Sequence, residues 1–203
     1  MPSSLIRWGG PAGVLGGVLW VLIWVLFLLA HGTGTVDQQG RILTLTHYDY
    51  SKFMVVPVVL FMVTLMSLYA QQQARSGRLG TAGFVLTLVS LALMAVGLAL
   101  SLWPIPWRSY LVDWGEPLAI WGGLAYSLST FVLAIGLILF GIGTLRTRVW
   151  PPWMSLLLII APLTIVPWLH MTGYGGIFGF AWLLLGYAIR QKGGVSVGQP
   201  RVV

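Results

Sequence analysis

Six stretches of apolar side chains, each free of charge, follow one another along the chain, separated by short polar segments. A helix rising about 1.5 Å per residue needs about 20 such residues to cross a hydrocarbon core of roughly 30 Å. The stretches are Pro11–Ala30, Phe53–Ala70, Thr81–Trp103, Leu118–Thr144, Trp153–Leu169 and Tyr174–Ile189. They predict an all-α protein, a bundle of six transmembrane helices forming one domain over residues 1–192. A flexible Gly, Ser and Pro-rich tail is expected from residue 193 onward.

The polar segments carry weaker patterns. In the first, His31 to Ser51, Ile42, Thr44 and Thr46 alternate with Leu43, Leu45 and His47 beside the turn-forming Asp37–Gly40, which predicts a short β-hairpin. Between the third and fourth stretches, Trp107, Tyr110, Leu111 and Trp114 recur at helical spacing after Pro106. That spacing predicts a short helix lying in the membrane interface, with Arg108 and Asp113 turned to water.

Charge orients the bundle. Eight of the eleven bases, Arg7, Arg75, Arg78, Arg146, Arg148, Arg190, Lys192 and Arg201, fall on one side of the six stretches. Lys and Arg near a span resist translocation, so that side is cytoplasmic and both termini are expected there, in a multi-pass protein of the cell membrane. All four acids, Asp37, Asp49, Asp113 and Glu116, fall on the other side with Arg41, Lys52 and Arg108. Residues 1–30 are read as a first span and not as a cleaved leader, because Leu28 before Ala30 spoils the small-x-small cleavage pattern.

Composition agrees with this reading: 58% of the 203 residues are hydrophobic and 7% charged, against about 25% charged in soluble domains. The net charge of +7 is accounted for by topology, so nucleic acid is not implied as a partner. The chain has no cysteine, which excludes disulfides, thiolate metal sites and Cys nucleophiles. Tryptophans gather at the ends of the stretches, as amphipathic rings settle at headgroup depth.

No Asp, Glu, Lys, Arg or His lies well inside any stretch. That argues against an ion-coupled carrier, a retinal protein and a b-type haem protein, whose chemistry needs such residues at membrane depth. The polar residues inside are Ser and Thr, and Gly9, Gly13 and Gly17, with Gly175 and Gly179, offer small faces for close helix contact. Pro57, Pro162 and Pro167 are expected kinks.

One group could carry chemistry. His31, His47 and His170 all fall on the outer side, and Asp49 stands two residues after His47. With Asp113 and Glu116 they form a candidate site, in which the histidines would hold a divalent ion such as Zn²⁺. Asp49 or Glu116 would complete its shell or serve as a base. No HExxH or GxSxG spacing accompanies them, and exclusion of polar residues from the membrane alone would produce the same group.

The Gly-rich first span (Gly13, Gly16, Gly17, Trp20), the Gly136, Gly141, Gly143, Arg146 exit, the Pro152–Trp153 opening and the Trp182, Gly186, Tyr187 ending form a set. In these the chain resembles small six-span bacterial integral membrane proteins of unknown function. The resemblance implies the same bundle and brings no activity with it.

Three functions fit these features. The first is a non-catalytic membrane protein, either an accessory subunit of a homo-oligomer or larger complex or a small binding or sensing module in contact with lipid. The second is an enzyme acting on a lipid or lipid-linked substrate at the outer interface through the His and Asp group. The third is a facilitator or lipid transporter that needs no coupling ion.

Overall fold

The computed structural model describes residues 3–32, 41–42, 45–46, 53–102, 112–165 and 175–195. These form helices α1 (Ser3–Gly32), α2 (Val55–Gln72), α3 (Gly77–Leu102), α4 (Val112–Thr147), α5 (Pro152–Ile160) and α6 (Gly175–Val195). A 3₁₀ turn, Gln73–Arg75, follows α2, and another, Ala161–Ile165, extends α5. Four of the described helices contain segments long and apolar enough to cross a membrane: Ile6–Leu26, Val55–Arg75, Gly77–Leu100 and Leu124–Thr147.

Several boundaries depart from expectation for local reasons. The first helix runs through Pro11 instead of starting there. Proline removes one i→i−4 bond, and the carbonyl it releases is that of Arg7, an exposed position. Pro57 is no kink, since it lies in the first turn of α2, where a missing N–H has no intrahelical partner to lose. Pro162 does break its helix: α5 gives way to 3₁₀ geometry one residue earlier, and the combined rod is only about 24 Å long. From Val112 onward the expected interfacial helix is continuous with α4, while Trp107, Tyr110 and Leu111 lie outside the described residues. Gly193 and Gly194 are helical, not tail. In the first polar segment Arg41 pairs with Thr46 and Ile42 with Leu45 in an antiparallel rung of two residues each.

Each helix packs on its neighbours in the chain, and α6 closes the ring onto α1. The contacts run antiparallel throughout. Gly9 lies against Ser67 and Gly16 against Phe61, while Gly10 lies against Arg190 and Gly176 against Trp24. Across α3 and α4, Gly80 faces Gly143 and Gly97 faces Tyr126. One end of the bundle therefore holds Gly9, Ser67, Gln72, Gly80, Gly143 and Arg190, and the other holds Trp24, Gly97, Tyr126 and Gly176.

Glycine sets the helix spacing. A Cβ on Gly13 would stand 2.7 Å from the Cα of Gly186, and one on Gly17 would stand 2.5 Å from the Gly179 carbonyl oxygen. The same holds between α3 and α4, where a Cβ on Gly143 would meet the Gly80 Cα at 2.5 Å and one on Gly136 the Thr87 backbone nitrogen at 2.8 Å. At these distances backbone meets backbone, and dispersion between closely packed atoms holds helices that lipid gives no hydrophobic reason to associate.

Aromatic side chains fill the space between α1, α2 and α6. Phe61 stacks on Trp182 at 4.6 Å, and Trp20 meets the edge of Phe178 at 5.3 Å. The Trp20 indole N–H donates to the Gly175 carbonyl at 3.0 Å. Buried hydroxyls bond backbone carbonyls: Thr87 to Gly83, Ser90 to Leu86, Ser129 to Tyr126 and Thr130 to Ser127, all at 2.7 Å. Thr64 reaches across helices as well, to the Gly9 carbonyl at 3.1 Å.

Replacing Gly13 or Gly179 with Leu should lower the detergent melting temperature, because overpacking typically costs about 1–3 kcal/mol and backbone cannot give way as a side chain can. Leu15→Val, at an outward position that is 53% exposed, should leave it nearly unchanged. Thermal unfolding followed by tryptophan fluorescence measures both, and full tolerance of Leu at both glycines would refute the close-contact account.

Candidate functional site

The outer histidines and acids cannot be assembled into a site from the described side chains. Asp37, His47, Asp49 and His170 lie outside the described residues. His31 has helical backbone in the last turn of α1, as do Asp113 and Glu116 early in α4, but their side chains also lie outside the description. Among the described residues no three His, Cys, Asp or Glu side chains gather.

The opposite end is well defined. It carries Arg7, Arg75, Arg78, Arg146, Arg148 and Arg190, all exposed. None of the chain's four acids, Asp37, Asp49, Asp113 and Glu116, is among the described side chains. Among the described residues, then, the arginines share one end with no carboxylate beside them.

A cleft of about 400 Å³ opens there between the end of α2 and the turn that follows α4, lined by Gln71, Gln72, Arg75, Arg148 and Val149 among others. Its parts are held firmly. Gln72 is 1% exposed and donates from Nε2 to Thr144 Oγ1 at 3.0 Å. Thr144 donates its own proton to the Phe140 carbonyl at 2.9 Å, so toward Gln72 it can only accept. That fixes the amide orientation and leaves Gln72 Oε1 as a buried acceptor with no hydrogen-bond partner among the described residues.

The second wall is a turn. The Thr147 hydroxyl donates to the Thr144 carbonyl at 2.8 Å and accepts from the Val149 N–H at 3.4 Å, stabilising the chain as it leaves α4. Between them Arg148 adopts φ +52°, a left-handed conformation. This is the helix-ending position where glycine is usual, and a side chain there costs about 1–2 kcal/mol. An arginine held at that cost, beside a second arginine and an unpartnered buried acceptor, marks the cleft as the candidate site. Two guanidinium forks suit an oxyanion, and an amide oxygen beside them suits a hydroxyl or ammonium donor on the same ligand.

Compared with known protein families, characterised proteins and solved structures, the chain matches none.

Sequence reasoning placed Arg75 and Arg148 among the bases that stop translocation and did not single out Gln72. The available signal was local: the Arg146–Pro152 link follows a helix and lacks glycine, so a left-handed residue ending that helix would carry a side chain.

Arg148→Gly should leave the unliganded protein as stable as the parent or up to about 1 kcal/mol more stable, relief of the left-handed strain offsetting the added chain entropy. Arg148→Val should be less stable than the parent, since branching at Cβ disfavours positive φ strongly. Detergent melting curves of the two variants should bracket the parent.

Proposed function

We propose that this chain is a non-catalytic protein of the cell membrane with six spans and both termini in the cytoplasm, serving as a small binding module. The observation that carries this reading is the one-sided end: six exposed arginines, an anion-suited cleft and no carboxylate among the described residues that form it. Cationic ends stay on the cytoplasmic side, where anionic headgroups supply the missing countercharge.

In this reading α5 with its 3₁₀ extension and α6 are the fifth and sixth spans, which the closed ring supports because both lie between α4 and α1. The short α5 rod would be accommodated by local thinning or by protein neighbours at its outer end. The likeness to small six-span bacterial membrane proteins is part of the same proposal. Interior hydroxyls already engaged with backbone carbonyls favour a packed scaffold over a polar transport path. Binding is favoured over an accessory-subunit role by the cleft, a concave feature with its own polar groups.

Reporter fusions after Gln73, Arg148 and Lys192 should report cytoplasm, and fusions after Asp37 and Asp113 the outer side. An outer signal after Arg148 would overturn the orientation, and one after Lys192 the count of six spans.

A further inference from the structure

We propose that the cleft between α2 and the turn after α4 binds the headgroup of an anionic glycerophospholipid. Arg75 and Arg148 hold the phosphate oxyanion, and Gln72 Oε1 accepts from a headgroup hydroxyl. This deepens the binding role proposed above. It relies on the cytoplasmic orientation only for the choice of leaflet, which the fusions test separately.

Three observations converge. Arg75 and Arg148 line one cleft although 73 positions separate them (148 − 75), so the fold and not the sequence brings the two cations together. Arg148 keeps a side chain at a backbone position that glycine fills with less strain, and that side chain lines the cleft. Gln72 has its donor engaged by Thr144, which leaves an acceptor that an oxyanion alone would not satisfy. The complementary ligand has a phosphate and a donor close together.

That chemistry is shared by a lipid headgroup and a free phosphate ester, and the surroundings favour the lipid. An apolar groove of about 820 Å³ begins at Gly77, two positions beyond Arg75, and follows α3 past Thr81, Val85 and Val89. A headgroup at the α2–α3 turn would have a track for its acyl chain along an outward face, whereas a soluble ester would leave that track unused.

The test uses the full chain in a neutral detergent, titrated with phosphatidylglycerol, phosphatidylcholine or inorganic phosphate, with native mass spectrometry and melting temperature as readouts. Phosphatidylglycerol should bind with one-to-one saturation and raise the melting temperature, with little effect from phosphatidylcholine. Arg148→Gly and Arg75→Gln should each weaken phosphatidylglycerol about tenfold, the usual effect of losing one charge-assisted contact. Arg7→Gln, at the same end but outside the cleft, should change it less than about twofold, the scale of an exposed charge. Phosphatidylmethanol, with equal charge and no hydroxyl, should bind several-fold more weakly than phosphatidylglycerol. Equal loss in Arg7→Gln and Arg148→Gly would mean diffuse surface attraction and overturn the site. Equal affinity for the two anionic lipids would overturn the part given to Gln72. A full stabilising effect from inorganic phosphate alone would reassign the cleft to a soluble ligand and overturn the lipid assignment.

Discussion

Backbone-to-backbone contact at glycine is the constraint on which the rest of this structure depends. In lipid the apolar surface of a helix is already among its like, so association has to come from contacts lipid cannot make. Gly13 against Gly186 and Gly80 against Gly143 provide them, one pair in each half of the ring. α1 meets both α6 and α2 through small residues, Gly9 on Ser67 and Gly13 on Thr64 among them, which leaves the space between the three helices to large side chains. Trp20, Phe61, Phe178 and Trp182 fill it, each nearly or fully buried.

The spacing also shapes the polar interior. Helices in direct contact leave little room for water, and most buried hydroxyls bond a carbonyl one turn back, Ser76 and Ser155 being without a partner among the described residues. Thr87 shows the coupling: its hydroxyl bonds the Gly83 carbonyl, while its backbone lies where a Cβ on Gly136 would need to be. Gln72 reaches further. Its longer side chain crosses to Thr144 and ties α2 to α4, which is how a non-neighbouring helix comes to share the cleft with Arg75.

Much of the fold was legible in the chain because membrane burial writes long-period signals. Apolar run length located the helices, and the Gly9, Gly13, Gly17 spacing identified a contact face later occupied by Ser67, Gly186 and Gly179. Local geometry was less legible. Pro57 and Pro162 are the same residue type in apolar surroundings, yet one opens a helix and the other ends one, a difference decided by position within the helix. The candidate site was hidden for another reason. Sequence reading is drawn to histidines and carboxylates, and it set arginines aside once they had explained orientation. The cleft is built from a glutamine and a threonine 72 positions apart and from a backbone angle, none of which composition or spacing reports.

The closure of α6 onto α1 has a consequence for how the protein is made. Trp20 and the Gly175 carbonyl it bonds are 155 residues apart. At ribosomal speeds of about 5–20 residues per second, roughly 8–30 s pass between the synthesis of one and of the other. For that interval the first helix lacks the α6 surface that Gly13, Gly17 and the Trp20 indole pack against. It is exposed to mispairing with other nascent spans and to membrane quality-control proteases. Assembly of this bundle is therefore a waiting problem, and an insertase that shelters the first helix until α6 arrives would govern how much protein a cell accumulates.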